Sequence, residues 1–114
     1  MTATPSSMPS PTITEVMVII TGKQGVTREQ IMKIIPTEIQ ATVKLYLDGK
    51  IRQWYSKGDG RGVVFFLEVK TIDEAQTLME TLPLSKEGLV DHEYIPIAPL
   101  LPLGVLVGAG PKQQ

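Results

Sequence analysis

A glycine-rich turn between two strand-like runs constrains the fold of this chain more than any other feature. The stretch WYSKGDGRGVVFF, residues 54–66, has glycine at every second position of its centre and aromatic or β-branched residues on both sides. The pair Asp59-Gly60 is a strong signal for a hairpin turn. A phosphate-binding loop would open a helix and carry a Lys-Ser or Lys-Thr pair, but here a strand-like run follows. We therefore predict a β-hairpin that joins residues 50–56 to residues 62–69.

Two further segments have the composition of strands. The run TITEVMVII, residues 12–20, is rich in β-branched residues and predicts the first strand. The run GLVDHEYIPI, residues 88–97, alternates polar and apolar residues and predicts the last strand. Because Pro96 and Pro99 cannot donate backbone hydrogen bonds, we expect either that this strand lies at a sheet edge or that the chain leaves the sheet at the prolines.

Two helices are predicted between these strands. Thr27 with Gln30, and Thr71 with Glu74, have the spacing of capping boxes. The first helix has an apolar residue at every fourth position, namely Ile31, Ile35, Ile39, Val43 and Leu47. The second, residues 71–82, has an apolar face formed by Ile72, Ala75, Leu78, Met79 and Leu82. We expect Pro36 to kink or divide the first helix, Gly49 to end it, and Pro83 to end the second.

The order strand, helix, strand, strand, helix, strand predicts the fold class. This order divides into a strand-helix-strand half followed by a second half of the same kind. When the two halves share one four-stranded antiparallel sheet, with both helices on one face, they give an α+β fold of the ferredoxin-like βαββαβ type. A chain of 114 residues fits one compact domain. We place it at residues 12–97, between a flexible N-terminal arm, residues 1–11, and an apolar tail containing proline and glycine, residues 98–114.

The predicted sheet leaves one face without helices. If the turn sets the register, the pairs facing the helices are Ser56 with Val63, Trp54 with Phe65 and Arg52 with Leu67. The open face then holds Ile51, Gln53 and Tyr55 opposite Glu68, Phe66 and Val64. This face is too apolar to remain exposed, so we expect two sheets to pack together as a homodimeric α/β barrel, or a multiple of such a dimer. The tail, residues 100–107, would find cover by swapping onto the partner.

Charge and composition exclude several classes of partner. The chain has 11 basic and 12 acidic residues without a long run of either sign, so neither nucleic acid nor a membrane surface is expected as a partner. It has no cysteine, which excludes disulfides and thiolate chemistry. The N-terminus lacks a basic leader, and prolines interrupt the apolar tail. We expect a cytoplasmic protein.

The run GKIRQWYSKGDGRGVVFFLEV, its spacing to TLPL at residues 81–84, and the DHEY strand resemble the muconolactone isomerase family of dimeric α/β barrel proteins. The resemblance covers roughly residues 49–97. It implies a ferredoxin-like protomer, an oligomer built from dimers, and a cleft that handles a small organic acid or lactone without a metal or an organic cofactor. Gln53 stands where the degradative enzyme of that family has a histidine.

Moving a double bond in an unsaturated lactone requires a group that removes a proton beside a carbonyl and returns one elsewhere. Glu68 is the leading candidate, because burial beside Phe66 and Leu67 would help it to retain a proton. The alternative is an ion pair with Arg52 or a lysine at the sheet end. Tyr55 could donate a hydrogen bond to an enolate oxygen, although packing at an interface is the more common role of a tyrosine.

Gln53, Glu93, His92, Arg52 and Phe66 complete the predicted substrate site. On the last strand, Asp91 and Glu93 point to one face while His92 and Tyr94 point to the other, so one pair alone can line a cleft. A lone histidine more often has a structural hydrogen bond, and no second metal ligand stands at a recognisable spacing. Arg52 could clamp a carboxylate or pack beside Trp54.

The first functional hypothesis is therefore a cofactor-free isomerase acting on a small unsaturated lactone or cyclic organic acid in the barrel cleft. A non-enzymatic dimer that binds a small ligand, and a cofactor-free oxygenase of the same barrel type, are the alternatives.

Overall fold

The computed structural model describes residues 12–100, which form an α+β fold. Its elements are β1 (Glu15–Gly22), α1 (Arg28–Leu47), β2 (Ile51–Ser56), β3 (Gly62–Leu67), α2 (Ile72–Met79), α3 (Pro83–Lys86) and β4 (Val90–Ile97). The predicted arm, and the predicted tail from residue 101 onward, lie outside the described residues. Among the described helices, none is both long and apolar enough to cross a membrane.

The four strands form one antiparallel sheet in the order β2-β3-β1-β4. This order is compatible with the ferredoxin-like arrangement, to which the single turn α3 is added. The predicted α+β class and four-stranded antiparallel sheet are confirmed. β4 lies at an edge, as its prolines predict, and β2 forms the other edge.

The predicted hairpin is confirmed, with one correction to its register. Ser56 lies opposite Val63 and Trp54 opposite Phe65, as expected. The predicted pairing of Arg52 with Leu67 is wrong, because a bulge between Ile51 and Gln53 places Ile51 opposite Leu67. Ile51 therefore lies on the helix face, where it is 1% exposed, instead of on the open face.

The connecting loop, residues 57–61, explains part of the glycine spacing. The Gly60 amide donates to the Lys57 carbonyl, and Gly60 has a φ of +73°, which favours glycine. Gly62 has a different reason to be glycine. A β-carbon at this position would clash with the carbonyl of Ile20 on the adjacent strand.

Helix α1 begins and ends as the sequence predicts. Thr27 and Gln30 form the capping box, and Gly49 has a φ of +80°. The amides of Gly49 and Lys50 donate to the carbonyls of Tyr46 and Leu45, which is a Schellman termination. The expected division at Pro36 does not occur, since one helix spans all 20 residues.

The predicted apolar stripe of α1 is wrong in its second half. Ile39, Val43 and Leu47 are 54%, 38% and 76% exposed. A strict spacing of four drifts about 40° per step around a helix of 3.6 residues per turn. The residues that pack on the core are instead Ile31, Ile34, Ile35, Ala41, Leu45 and the buried Thr42.

The second helical segment is shorter than predicted. α2 ends at Met79, and Pro83 does not end it but occupies the first turn of α3. Thr71 caps α2 as expected, while the Glu74 carboxylate accepts from the Lys70 amide. α2, α3 and α1 cover one face of the sheet and enclose the core, which consists of Val16, Val18, Ile20, Ile51, Phe65, Leu67, Ala75, Met79, Leu82, Leu84 and Val90.

Candidate functional site

A cavity of about 400 Å³ lies on the helix face of the sheet, between α1 and the β2-β3 hairpin. Its walls are mostly apolar, with three polar side chains that could contact a ligand, Glu38, Thr42 and Ser56. Trp54 and Tyr55 stand at the exposed edge of the sheet, where they are 37% and 54% exposed. The remaining lining residues are Ile20, Ile35, Ile39, Val43, Val63, Phe65 and Leu84. We name this space the α1–β2 cavity.

Trp54 is held against α1 by an aromatic stack. Its ring lies 4.1 Å from that of Tyr46, centroid to centroid, with an interplanar angle of 8°. Tyr46 comes from the last turn of α1, so the stack joins the helix to the edge strand. The bulge in β2 leaves Trp54 on the same face as Ile51, and this places the indole in the cavity wall.

Glu38 supplies the carboxyl group of the α1–β2 cavity. Its Oε1 accepts a hydrogen bond of 2.9 Å from the Leu84 amide, in the first turn of α3. The N-cap of α3, Leu82, has no capping side chain, so Glu38 satisfies an amide that the short helix leaves free. Burial raises the pKa of Glu38 above its ordinary 4.5, although the Leu84 amide acts in the opposite direction. Protonation of this carboxyl is therefore easier than in water.

Thr42 lies one helical turn beyond Glu38 in the same wall. It is 9% exposed, and it is the one buried polar residue found among the described residues. Within residues 12–100, no hydrogen bond joins its hydroxyl to another side chain or to a backbone group. Buried polar groups normally have a partner, so a ligand or a water is expected at this hydroxyl.

The leading sequence candidate, Glu68, lies elsewhere. It follows β3 and forms an ion pair with Arg52, 2.9 Å between Oε1 and Nη1. The two side chains are 48% and 50% exposed, and neither lines the α1–β2 cavity. The alternative that the sequence left open, a pair with Arg52, is the observed contact.

Three other predicted residues do meet on the open face at the β2 edge. The Tyr55 hydroxyl donates to Gln53 Oε1 at 3.2 Å, and its ring meets Phe66 edge to face, 6.1 Å between centroids. Glu93 occupies the same cross-strand row through Ile19 and Val64. Since it lies on the opposite edge strand, three strand spacings separate Glu93 from Tyr55, about 14 Å.

His92 and Tyr94 share one face, as the alternation on β4 predicts, and in the structure this is the helix face, since they lie opposite the buried Ile20 and Val18. His92 Nε2 and the Ser85 hydroxyl are hydrogen-bonded at 3.0 Å, and the rings of His92 and Tyr94 stack with centroids 5.7 Å apart. Burial lowers the pKa of His92 below its ordinary 6.5, against the opposing charges of Asp91 and Glu80. The contacts match the structural alternative that the sequence left open for this residue.

Glu38 and Thr42 were not predicted from the sequence, because both lie outside the stripe of every fourth residue on α1. A signal was present, since Glu38 stands four residues after Ile34 and three before Ala41, where the helical period calls for a buried residue. A carboxyl group at a core-facing position of an amphipathic helix is an indication of a specific role.

Comparisons with known proteins add no family to this geometry. No family model matches the chain, and no curated protein matches it. In residues 12–100, no group of three or more histidine, aspartate or glutamate side chains is placed to hold a metal ion. The resemblance to the muconolactone isomerase family stays a prediction.

Proposed function

We propose that this protein is a cofactor-free isomerase that transfers a proton within a small unsaturated lactone or cyclic organic acid. The reaction takes place in the α1–β2 cavity, on the helix face, and not between two open sheet faces. The observation that carries this proposal is Glu38, a carboxyl group with a raised pKa in the wall of an apolar cavity.

The cavity has the size and the lining for such a ligand. Its volume of about 400 Å³ falls in the range of small-molecule sites. The rings of Trp54 and Phe65 offer apolar surface to a planar five- or six-membered ring.

Glu38 has the properties that an isomerase requires of its proton carrier. As a carboxylate it removes a proton from the carbon beside the carbonyl, which leaves a conjugated enolate and a neutral Glu38. Neutral Glu38 exchanges its proton with solvent and then delivers a proton to a different carbon of the conjugated system, so the double bond moves and nothing is consumed. A raised pKa brings base and acid forms closer to the operating pH, so one group serves both steps.

Thr42 and Ser56 are the polar groups that could stabilise the enolate. Both line the cavity with Glu38, and the Thr42 hydroxyl has no partner among the described residues. A hydroxyl that donates to the developing oxyanion lowers the barrier because it acts in a site of low dielectric.

A non-catalytic ligand-binding protein is the second candidate, and the hydrogen bond from Leu84 to Glu38 favours it. In that case Glu38 is a structural cap for α3, and the cavity binds a ligand without changing it. The two candidates differ in one respect, which is whether protons of a bound ligand exchange with solvent.

Deuterium incorporation tests the proposal directly. Muconolactone is incubated with the protein in D₂O and followed by NMR. In a separate incubation under air, a dihydroxyaromatic compound replaces muconolactone and an oxygen electrode records oxygen uptake, which tests for the oxygenase. We expect exchange and double-bond migration, lowered about 10²–10⁴-fold in Glu38→Gln, the range for loss of a general base. Glu68→Gln, which breaks the exposed ion pair, is the matched control and should retain activity within about twofold.

Three results would contradict the proposal. Absence of exchange would favour the binding protein. Loss of activity in Glu68→Gln with retention in Glu38→Gln would return the site to the open face. Oxygen consumption would indicate an oxygenase.

A further inference from the structure

A second cavity adjoins the α1–β2 cavity at the N-terminal end of α1. It has a volume of about 560 Å³ and lies between the first turns of α1, the end of β1 and the hairpin loop. The two spaces share five wall residues, which are Ile20, Ile35, Ser56, Val63 and Leu84. A ligand longer than one ring could therefore occupy both.

The second cavity differs from the first in its charge. Lys23, Arg28 and Arg61 line it, and none of its lining residues is acidic. The whole chain has nearly balanced charge, with 11 basic and 12 acidic residues, so this segregation is local. The ion pairs found in residues 12–100 use Lys44, Arg52 and Lys57 as their cations, so none of them neutralises the three that line the cavity.

Three separate elements bring these cations together. Lys23 follows β1, where its amide donates to the Leu89 carbonyl, and Arg28 begins α1. Arg61 ends the hairpin loop, where its amide donates to the Asp59 carboxylate at 2.9 Å. Next to it, Gly62 has no room for a β-carbon, so the hairpin lies close against β1. Local backbone contacts thus fix all three positions.

We propose that this basic cavity binds the carboxylate of an organic acid whose apolar ring lies beside Glu38 in the α1–β2 cavity. The inference rests on the proposed function and narrows its substrate class to cyclic unsaturated acids. Guanidinium groups suit this role because they can donate two parallel hydrogen bonds to a carboxylate.

The length of α1 keeps the two ends of such a ligand apart. Arg28 and Glu38 are ten residues apart on one helix, about 15 Å along its axis. A carboxylate at the basic end therefore avoids repulsion by ionised Glu38, which would weaken binding if both groups shared one pocket. The same spacing directs the ring, and not the acid group, to the proton carrier.

Tryptophan fluorescence measures the affinity for such a ligand, since Trp54 is the single tryptophan of the sequence and lines the α1–β2 cavity. The probes are 4-(cyclohex-1-en-1-yl)butanoate, whose carboxylate is separated from the ring by three methylene groups, and its neutral carboxamide, titrated at pH 7 in low salt. We expect the acid to bind about tenfold more tightly than the amide, the value of one charged hydrogen bond. Arg28→Gln with Arg61→Gln should remove that preference and leave the amide affinity within about twofold.

Lys33→Gln, an exposed cation on α1 that lines neither cavity, is the matched control and should retain the preference. The two single arginine variants serve if the double variant does not fold, and each should lose part of the preference. Equal affinity for acid and amide, an unchanged preference in the arginine variants, or no binding of the acid would overturn the inference.

Failure of the proposed function has a different signature. If the acid is preferred through the arginines but the protein never exchanges ligand protons, the basic site stands and the isomerase is rejected. If exchange occurs but the preference is absent, the isomerase stands and the carboxylate site is rejected.

Discussion

Glu38 is the residue on which the functional account depends, and its position carries an energetic cost. It occupies a core-facing position of α1 where an apolar side chain would pack without loss of hydration. One hydrogen bond, from the Leu84 amide, offsets part of that cost. A residue retained at such a position is either a required cap or a functional acid, and pH separates these roles.

The first prediction concerns the stability of Glu38→Gln. Because burial raises the pKa of Glu38, the folded state holds this proton more tightly than the unfolded chain does. The contribution of protonated Glu38 to the free energy of unfolding is present below pH 4.5 and is lost as the pH rises through the raised pKa. Glutamine stays neutral and can accept from Leu84, so urea denaturation should show the variant more stable than wild type at pH 7.

The stability gain of Glu38→Gln should shrink as the pH falls toward 4, while exposed Glu87→Gln should show no comparable trend. A variant less stable than wild type by the same amount at every pH would identify Glu38 as a structural cap alone.

The second prediction concerns His92, whose pKa burial lowers while Asp91 and Glu80 oppose the shift and Lys23 adds to it. Its ring protons should titrate in NMR with a midpoint below 6.5. The neutral His92 ring contributes to the free energy of unfolding above pH 6.5, and this contribution is lost as the pH falls through the lowered pKa. His92→Gln should remove this loss of stability below pH 6.5, and a midpoint above 6.5 would contradict this account.

At the scale of elements, the sequence predicted those features that depend on residues close together in the chain. The capping box of Thr27 and Gln30, the glycine at the end of α1 and the position of the hairpin follow from residues close in sequence. The face of α1 that packs, and the bulge beside Ile51, depend on contacts with distant strands. The α1–β2 cavity arises from both features, and for this reason Glu38 and Thr42 of α1 are not among the site residues predicted from the sequence.

The third prediction tests how the hairpin fits against β1. Gly62→Ala should lower the free energy of unfolding by about 1–3 kcal/mol, because the added methyl meets the Ile20 carbonyl and the strands must shift. Gly58→Ala, in the loop that precedes β3, is the matched control, since a β-carbon there meets nothing within 4 Å. Thermal or urea unfolding measures both, and equal stability of the two variants would refute the close approach.

At the scale of the whole molecule, the open face of the sheet is the surface that the predicted dimer would use. Half-buried apolar side chains occupy its centre, among them Met17, Ile19, Val64 and Phe66. Association of two such faces would remove this surface from water. The dimeric barrel remains a prediction, and under the present account it supports the site without forming it.

The fourth prediction is therefore a dimer in sedimentation equilibrium, with activity that does not require residues from the open face. Phe66→Glu should produce monomers, because it places a charge in the apolar centre of the interface. Leu47→Glu, at an exposed position on α1, should leave the dimer intact. A wild-type monomer, or a dimer that survives Phe66→Glu, would contradict the barrel.

The most direct test of the central claim is to locate the bound ligand on the folded chain. In an amide-resolved NMR titration with 4-(cyclohex-1-en-1-yl)butanoate, we predict the largest shifts at Leu84, Thr42 and Val63, which line the α1–β2 cavity with Glu38. Shifts concentrated instead at Met17, Ile19 and Glu93 would place the ligand on the open face and contradict the account.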